Sequence, residues 1–81
     1  MRIISQDGLV DLPYNSSLIT AFEGDEEWVI QAINMNRVFF IGTYKSKDEA
    51  MNEIERILLK FSENWKVYRM SRPKSTKKAQ N

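Results

Sequence analysis

The stretch of residues 46–65 constrains the fold most, because the capping signal at its start and the spacing of its hydrophobic residues both indicate one long helix. Ser46 followed three residues later by Glu49 is a capping box, in which each side chain binds a free backbone amide of the first turn. The helix is therefore predicted to begin at about Lys47. Its apolar residues recur every three or four positions and form one broad stripe, with Met51 on one flank: Ala50, Ile54, Ile57, Leu58, Phe61 and Trp65.

The charged residues of this helix are expected in water, on the face opposite the apolar stripe. Acidic residues stand in the first turn and a lysine stands near the end, as the helix dipole favours. Exposed charge pairs of this kind contribute only tenths of a kcal/mol and specify little. We interpret the outer face as solubilising, and its members are Glu53, Glu55, Arg56 and Lys60.

Segments with strand-like alternation lie before and after the helix and are separated by turn residues. Gly8 is suited to the left-handed position of a hairpin turn. Because the helix stripe needs a sheet to cover, residues 1–71 are predicted to form a two-layer α+β domain. It has a mainly antiparallel meander of about four to six strands with one long helix on one face. The predicted strands are residues 2–5, 9–12, 18–23, 27–35, 38–44 and 66–70.

The composition indicates a small domain with a real core and a cytoplasmic location. The chain has 81 residues, 42% of them hydrophobic, and a domain of this size buries about 60% of its unfolded surface. It has no cysteine, so neither disulfides nor thiolate metal sites are expected. No segment approaches the roughly 18 to 20 apolar residues of a membrane span, so membrane insertion is not predicted.

Catalytic and cofactor chemistry have little support in the sequence. Histidine and cysteine are absent, which removes the commonest general base, the thiol nucleophile and most transition-metal ligand sets. Asp25, Glu26 and Glu27 form the only dense acidic cluster, and a solvated hairpin tip is the expected interpretation rather than a metal site. The glycines are too far apart for a phosphate loop. We therefore predict no enzyme activity, no cofactor and no metal.

The C-terminal segment is basic, whereas the rest of the chain is acidic. The last fifteen residues carry five basic side chains and no acidic one, while residues 1–66 carry seven basic and eleven acidic side chains. Residues 72–81 are expected to be a flexible tail that either solubilises the protein or binds nucleic acid. Tyr68 would then either stack on a base or complete an edge strand. The candidate nucleic-acid-binding residues are Lys66, Tyr68, Arg69, Arg72, Lys74, Lys77 and Lys78.

Apolar residues on both sides of the central hairpin indicate a protein-binding face. One helix covers only one side of a sheet, so apolar residues on the other side are left for a partner protein or a second copy of the chain. The alternative is that the N-terminal hairpin or the loop of residues 13–17 folds over that side. The candidate protein-binding residues are Trp28, Val29, Ile33 and Met35.

Two stretches carry a resemblance to other proteins. Residues 1–8, MRIISQDG, continue with VDLPY at residues 10–14, and IGTY at residues 41–44 is followed by Ser46, Glu49 and Ala50. The first stretch resembles the start, and the second the strand-to-helix junction, of small uncharacterised proteins from phages and integrated mobile elements of Gram-positive bacteria. The resemblance implies an intracellular accessory protein without known catalytic residues. With the apolar face, it suggests an inhibitor or adaptor that binds a host or phage protein.

Overall fold

The computed structural model describes residues 1–72, which form six strands and one helix. The predicted α+β class is confirmed. Residues 73–81, which make up most of the predicted basic tail, lie outside the described part. The elements are β1 (Arg2–Ile4), β2 (Asp11–Pro13), β3 (Leu18–Glu23), β4 (Trp28–Asn34), β5 (Arg37–Tyr44), α1 (Lys47–Ser62) and β6 (Val67–Arg69).

The strands divide into two three-stranded sheets. One has the order β3-β4-β5 and is antiparallel throughout, as hairpin connections require. The other has the order β2-β1-β6, in which β1 is antiparallel to β2 and parallel to β6. The parallel pair is possible because a long connection, residues 5–66 with β2 to β5 and α1, lies between β1 and β6.

The two ends of α1 are both set by local hydrogen bonds. At the start, the Glu49 N–H donates to Ser46 Oγ over 3.2 Å, which confirms the predicted N-cap. At the end, Asn64 adopts a left-handed conformation (φ 66°), and the Trp65 N–H donates to the Lys60 carbonyl oxygen over 3.1 Å. This Schellman motif ends the helix at Ser62. The predicted stripe is thereby corrected, since Trp65 lies beyond the helix.

The core lies between α1 and both sheets. Its fully buried large apolar residues come from β1, β4, β5 and α1: Ile3, Ile30, Ile41 and Ile57. Leu58, predicted to belong to the apolar stripe, is instead exposed. It follows Ile57 by one position, which rotates it about 100° around the helix axis and onto the flank.

Gln6 joins the two sheets at the outer edge of β5. A β-bulge leaves Ile41 without a partner on β4, and the Ile41 carbonyl oxygen accepts the Gln6 backbone N–H over 2.9 Å. The Gln6 side chain then pairs with Thr43 as a peptide group would. Its Nε2 donates to the Thr43 carbonyl oxygen over 3.0 Å, and its Oε1 accepts the Thr43 N–H over 2.9 Å. The edge of β5 is therefore occupied along residues 41–43.

Candidate functional site: the open face of the sheet

One face of the β3-β4-β5 sheet packs against α1, and the other, which we call the open face, is rich in apolar side chains. Successive residues of a strand point to opposite faces, and residues paired across strands share a face. On β4 the buried residues Ile30 and Ala32 mark the side of the core. The register then gives three rows on the open face: Phe22, Val29 and Thr43; Thr20, Gln31 and Phe40; and Leu18, Ile33 and Val38.

Four large apolar side chains dominate this face. Leu18, Phe22, Val38 and Phe40 have between 37% and 63% of their surface exposed. The rings of Phe22 and Phe40 meet edge to face, with centroids 5.9 Å apart. Together the four side chains present on the order of 400 Å² of apolar surface, the size of the largest patch on a typical monomer, and such patches are often functional.

The polar groups of the open face are few and uncharged. Gln31, at the centre, donates from Nε2 to Thr20 Oγ1 over 3.1 Å. Its amide is thereby held against the sheet by a neighbour on β3. A partner that covered this face would desolvate few polar atoms and no charge, which is typical of the buried core of an interface.

Two of the four residues predicted from the sequence lie on the open face. Val29 and Ile33 occupy its middle strand, half-buried between their neighbours. Trp28 lies on the opposite side of the sheet, against the core, with Lys47 Nζ 6.0 Å from its ring centroid. Met35 is exposed in the turn between β4 and β5, where it has a positive φ of 51°. The structure therefore brings Val29 and Ile33 together and separates them from Trp28 and Met35.

Sequence reasoning missed the four most exposed members of the face. Leu18 and Phe22 each lie two positions from Thr20 on β3 and point to the same face as Thr20. The register of the β3–β4 hairpin would have placed them beside Ile33 and Val29. On β5 the bulge at Ile41 interrupts the alternation. Val38 and Phe40 before the bulge and Thr43 after it therefore share one face, which strict alternation cannot reveal.

The two segments that were the alternative cover for this face lie elsewhere. The N-terminal hairpin is attached to the edge of β5 through Gln6. In the loop of residues 13–17, the ring of Tyr14 packs against Phe61 of α1 at a tilt of 50°, with centroids 4.9 Å apart. Asn34 Nδ2 donates to the Ser16 carbonyl oxygen over 3.1 Å. Within residues 1–72, both segments leave the open face accessible.

The predicted nucleic-acid-binding residues are only partly described. Lys66, Arg69 and Arg72 are exposed, whereas Tyr68 is buried in β6. The Tyr68 hydroxyl donates to Glu53 Oε2 over 2.8 Å, so this ring is not available to stack on a base. Lys74, Lys77 and Lys78 lie outside the described residues.

The acidic cluster lies in the turn between β3 and β4. Asp25, Glu26 and Glu27 are all exposed there, and the Gly24 N–H closes the turn by donating to the Glu27 carbonyl oxygen over 2.7 Å. Across residues 1–72, no three acidic side chains come close enough to hold a metal ion.

Glu53 is the main correction to the predicted helix surface. It was expected in water, yet only 1% of it is exposed. Oε2 accepts the Tyr68 hydroxyl and, over 2.9 Å, the Ser71 N–H, while Oε1 accepts the Ser71 hydroxyl and a guanidinium N–H of Arg56. We call Glu53, Arg56, Tyr68 and Ser71 the C-terminal clamp.

Two more side chains donate hydrogen bonds to Ser71 of the clamp. The Ser71 carbonyl oxygen accepts the Tyr44 hydroxyl and Gln6 Nε2, each over 2.8 Å. Burial raises the pKa of Tyr44, and burial together with the bond to Glu53 raises the pKa of Tyr68 to about 12. A cleft of about 90 Å³ lies beside these groups. Because every oxygen of Glu53 is already paired, the arrangement is suited to holding the chain in place rather than to acid–base chemistry.

Comparison of the chain with protein-family models, with curated proteins and with solved structures gives no match. The resemblance to phage and mobile-element proteins therefore stays a prediction based on the quoted residues. Among residues 1–72, the single helix is too short and too polar to cross a membrane.

Proposed function

We propose that the chain is a non-enzymatic binding protein that holds another protein on its open face. The observation that carries the proposal is the exposure of Leu18, Phe22, Val38 and Phe40 on one uncharged face of the sheet. About 400 Å² of apolar area corresponds to on the order of 10 kcal/mol of transfer free energy, before the costs of association are subtracted. A partner that covered the face would recover part of this free energy.

The surroundings of the face suggest the chemistry of the partner surface. One end of the face adjoins Glu23 and the acidic turn of Asp25, Glu26 and Glu27. A partner with an apolar centre and basic residues at the matching end of its rim would be complementary in both hydrophobicity and charge. In line with the resemblance, we propose a cytoplasmic host or phage protein, which the chain inhibits or links to another component.

A quantitative pull-down tests the proposal. The tagged full chain is incubated with lysate of a Gram-positive bacterium, with and without nuclease treatment, and retained proteins are measured by mass spectrometry. The test variant is Val38→Ser/Phe40→Ser, which removes the apolar surface of β5. The control is Leu9→Ser/Leu59→Ser, which makes the same kind of change at exposed leucines of the N-terminal hairpin and of α1.

We expect one defined protein to be retained by the wild type and the control and to be lost, by about tenfold or more, from the β5 variant. Thermal unfolding of all three proteins checks that the fold is intact. Equal retention by the β5 variant would contradict the proposal. Retention that disappears with nuclease, or on deletion after Arg72, would favour nucleic-acid binding by the basic segment instead.

A further inference from the structure

Among residues 1–72, β3 is an edge strand without the usual protection against pairing. Natural edge strands are commonly blocked by lysine, proline, a bulge or a covering segment. β3 spans six residues, LITAFE, pairs with β4 without a register shift, and has its one charged residue, Glu23, at its end. The opposite edge of the same sheet, β5, is occupied by Gln6 along residues 41–43.

The free backbone groups of β3 follow from its pairing with β4. The turn closes with the Gly24 N–H bonded to the Glu27 carbonyl oxygen, and hydrogen-bonded and non-hydrogen-bonded pairs alternate from there along an antiparallel ladder. Thr20 and Phe22 therefore bond to β4. The N–H and C=O groups of Ile19 and Ala21 point away from β4, toward the free edge.

The flank of α1 beside this edge is also apolar and exposed. Glu53 points toward Tyr68 of the other sheet, whereas Ile54, rotated about 100° from it, shares a groove with Ile19 of β3. Met51 and Leu58 lie three and four residues from Ile54, further around on the side of β3. They are 40% and 55% exposed.

We propose that a second copy of this chain pairs with the first along β3, in antiparallel orientation, and joins the two sheets into one of six strands. The two-fold axis passes beside Thr20. Residues directly opposite each other must point to the same face of the sheet. The allowed registers therefore pair even-numbered residues with even-numbered ones and odd-numbered residues with odd-numbered ones. The axis at Thr20 places Leu18 opposite Phe22 of the partner copy and Ile19 opposite Ala21.

This register is favoured by both apolar pairing and charge. Threonine–threonine pairs are favourable across strands, and placing Leu18 beside Phe22 removes apolar surface of both side chains from water. The two acidic turns lie at opposite ends of the paired strands, about 30 Å apart by the rise of a strand, which exceeds the Debye length of about 10 Å. The outward groups of Ile19 and Ala21 then form the hydrogen-bonded pairs, as their orientation requires.

The surface that pairing would cover is of the size that a dimer needs. Pairing would cover the edge of β3 and its neighbours, the exposed flank of α1 at Met51 and Leu58, and only those sides of Leu18 and Phe22 that lie next to the edge. Together these offer roughly 600–800 Å² per copy, against about 800 Å² per partner in a standard interface. The open faces of the two copies become one continuous surface on the far side of the sheet. The pairing does not depend on whether that surface binds another protein.

Disulfide cross-linking of the full chain tests the register directly, since the native sequence has no cysteine. At a non-hydrogen-bonded antiparallel pair the Cα atoms lie about 4.5 Å apart, within the range for a disulfide. We expect Thr20→Cys to form a covalent dimer under mild oxidation at least about tenfold faster than Val38→Cys. Faster cross-linking by Val38→Cys would mean that the open faces stack, and would overturn the proposal.

Sedimentation equilibrium of the full chain provides the second test. We expect a mass of about twice 9.5 kDa for the wild type and a shift toward 9.5 kDa for Ala21→Pro, which removes an N–H that β4 does not use. If Ala21→Pro fails to fold, Met51→Lys/Leu58→Lys should cause the same shift from an exposed helix flank, and Leu59→Lys is the matched control. A monomeric wild type, or a dimer unaffected by these changes, would overturn the proposal. A monomer that still retains a partner protein would leave the proposed function intact.

Discussion

Replacing Glu53 by glutamine should destabilise the protein although it changes neither the size nor the shape of the side chain. The carboxylate accepts four hydrogen bonds from Arg56, Tyr68 and Ser71. The least costly orientation of a glutamine amide puts its NH₂ group at the position of Oε1. There the Ser71 hydroxyl can turn to accept a hydrogen bond, and the half-exposed Arg56 can move into water.

The remaining loss in the free energy of unfolding comes from the two hydrogen bonds that Oε2 accepts. Hydrogen bonds to a charged acceptor contribute about 1.5–3 kcal/mol and neutral ones about 0.5–1.5, so the bonds from Tyr68 and Ser71 N–H lose about 1 kcal/mol each. We expect Glu53→Gln to lower the free energy of unfolding by about 2 kcal/mol. Glu53→Ala, which leaves all four donors without an acceptor, should lower it by roughly 3–5 kcal/mol.

Urea unfolding and calorimetry measure both changes. In a domain of this size 1 kcal/mol corresponds to about 4–8 °C in Tm, so Glu53→Gln should lower Tm by roughly 8–16 °C. Glu55→Gln and Glu55→Ala make the same chemical changes at an exposed position of the same helix and should stay within about 0.5 kcal/mol of the wild type. Glu53 variants as stable as their Glu55 counterparts would refute the assignment of the clamp.

Two further predictions concern Tyr68 and Gly42. The raised pKa of Tyr68, about 12 against an ordinary 10, means that the unfolded chain loses this proton first as the pH rises above about 10, so stability falls from there to about pH 12. Urea unfolding of Tyr68→Phe should show a decline smaller by roughly 2 kcal/mol over that interval, and an equal decline would contradict the assignment. A Cβ at Gly42 would lie 3.1 Å from the ring of Tyr44 and 3.3 Å from Met70 Cε. Because Tyr44 is held by Ser71, Gly42→Ala should cost roughly 1–3 kcal/mol in chemical denaturation, and a loss below about 0.5 would show that the site adapts.

The helix was predictable because its signals are local. Ser46 and Glu49 lie within one turn of each other, and their capping contact depends on no distant residue. The burial of Glu53 has a different origin, since two of its partners lie 15 and 18 residues further along the chain. A period of three or four residues reports which side of a helix is apolar, and it contains no information about a strand that returns beside that helix.

The open face was predictable only in its central strand. The position of Val29 and Ile33 on one face follows from alternation within β4, because the sequence of a single strand shows which residues point to the same side. Leu18 and Phe40 belong to the face because of the register of the neighbouring strands and because of the bulge at Ile41. Register is set by the turns and by contacts across strands, so a single segment does not define it.

The pairing of Gln6 with Thr43 limits how far the sheet can extend. A sheet with two free edges can add copies at both ends and grow into a filament, because each addition regenerates an edge like the one just used. Here the side chain of Gln6 occupies part of the β5 edge, and β3 is the edge left for growth. Two chains that join through β3 present only β5 edges at their outer ends, and because Gln6 occupies residues 41–43 of each, addition of a third chain is disfavoured relative to the first pairing.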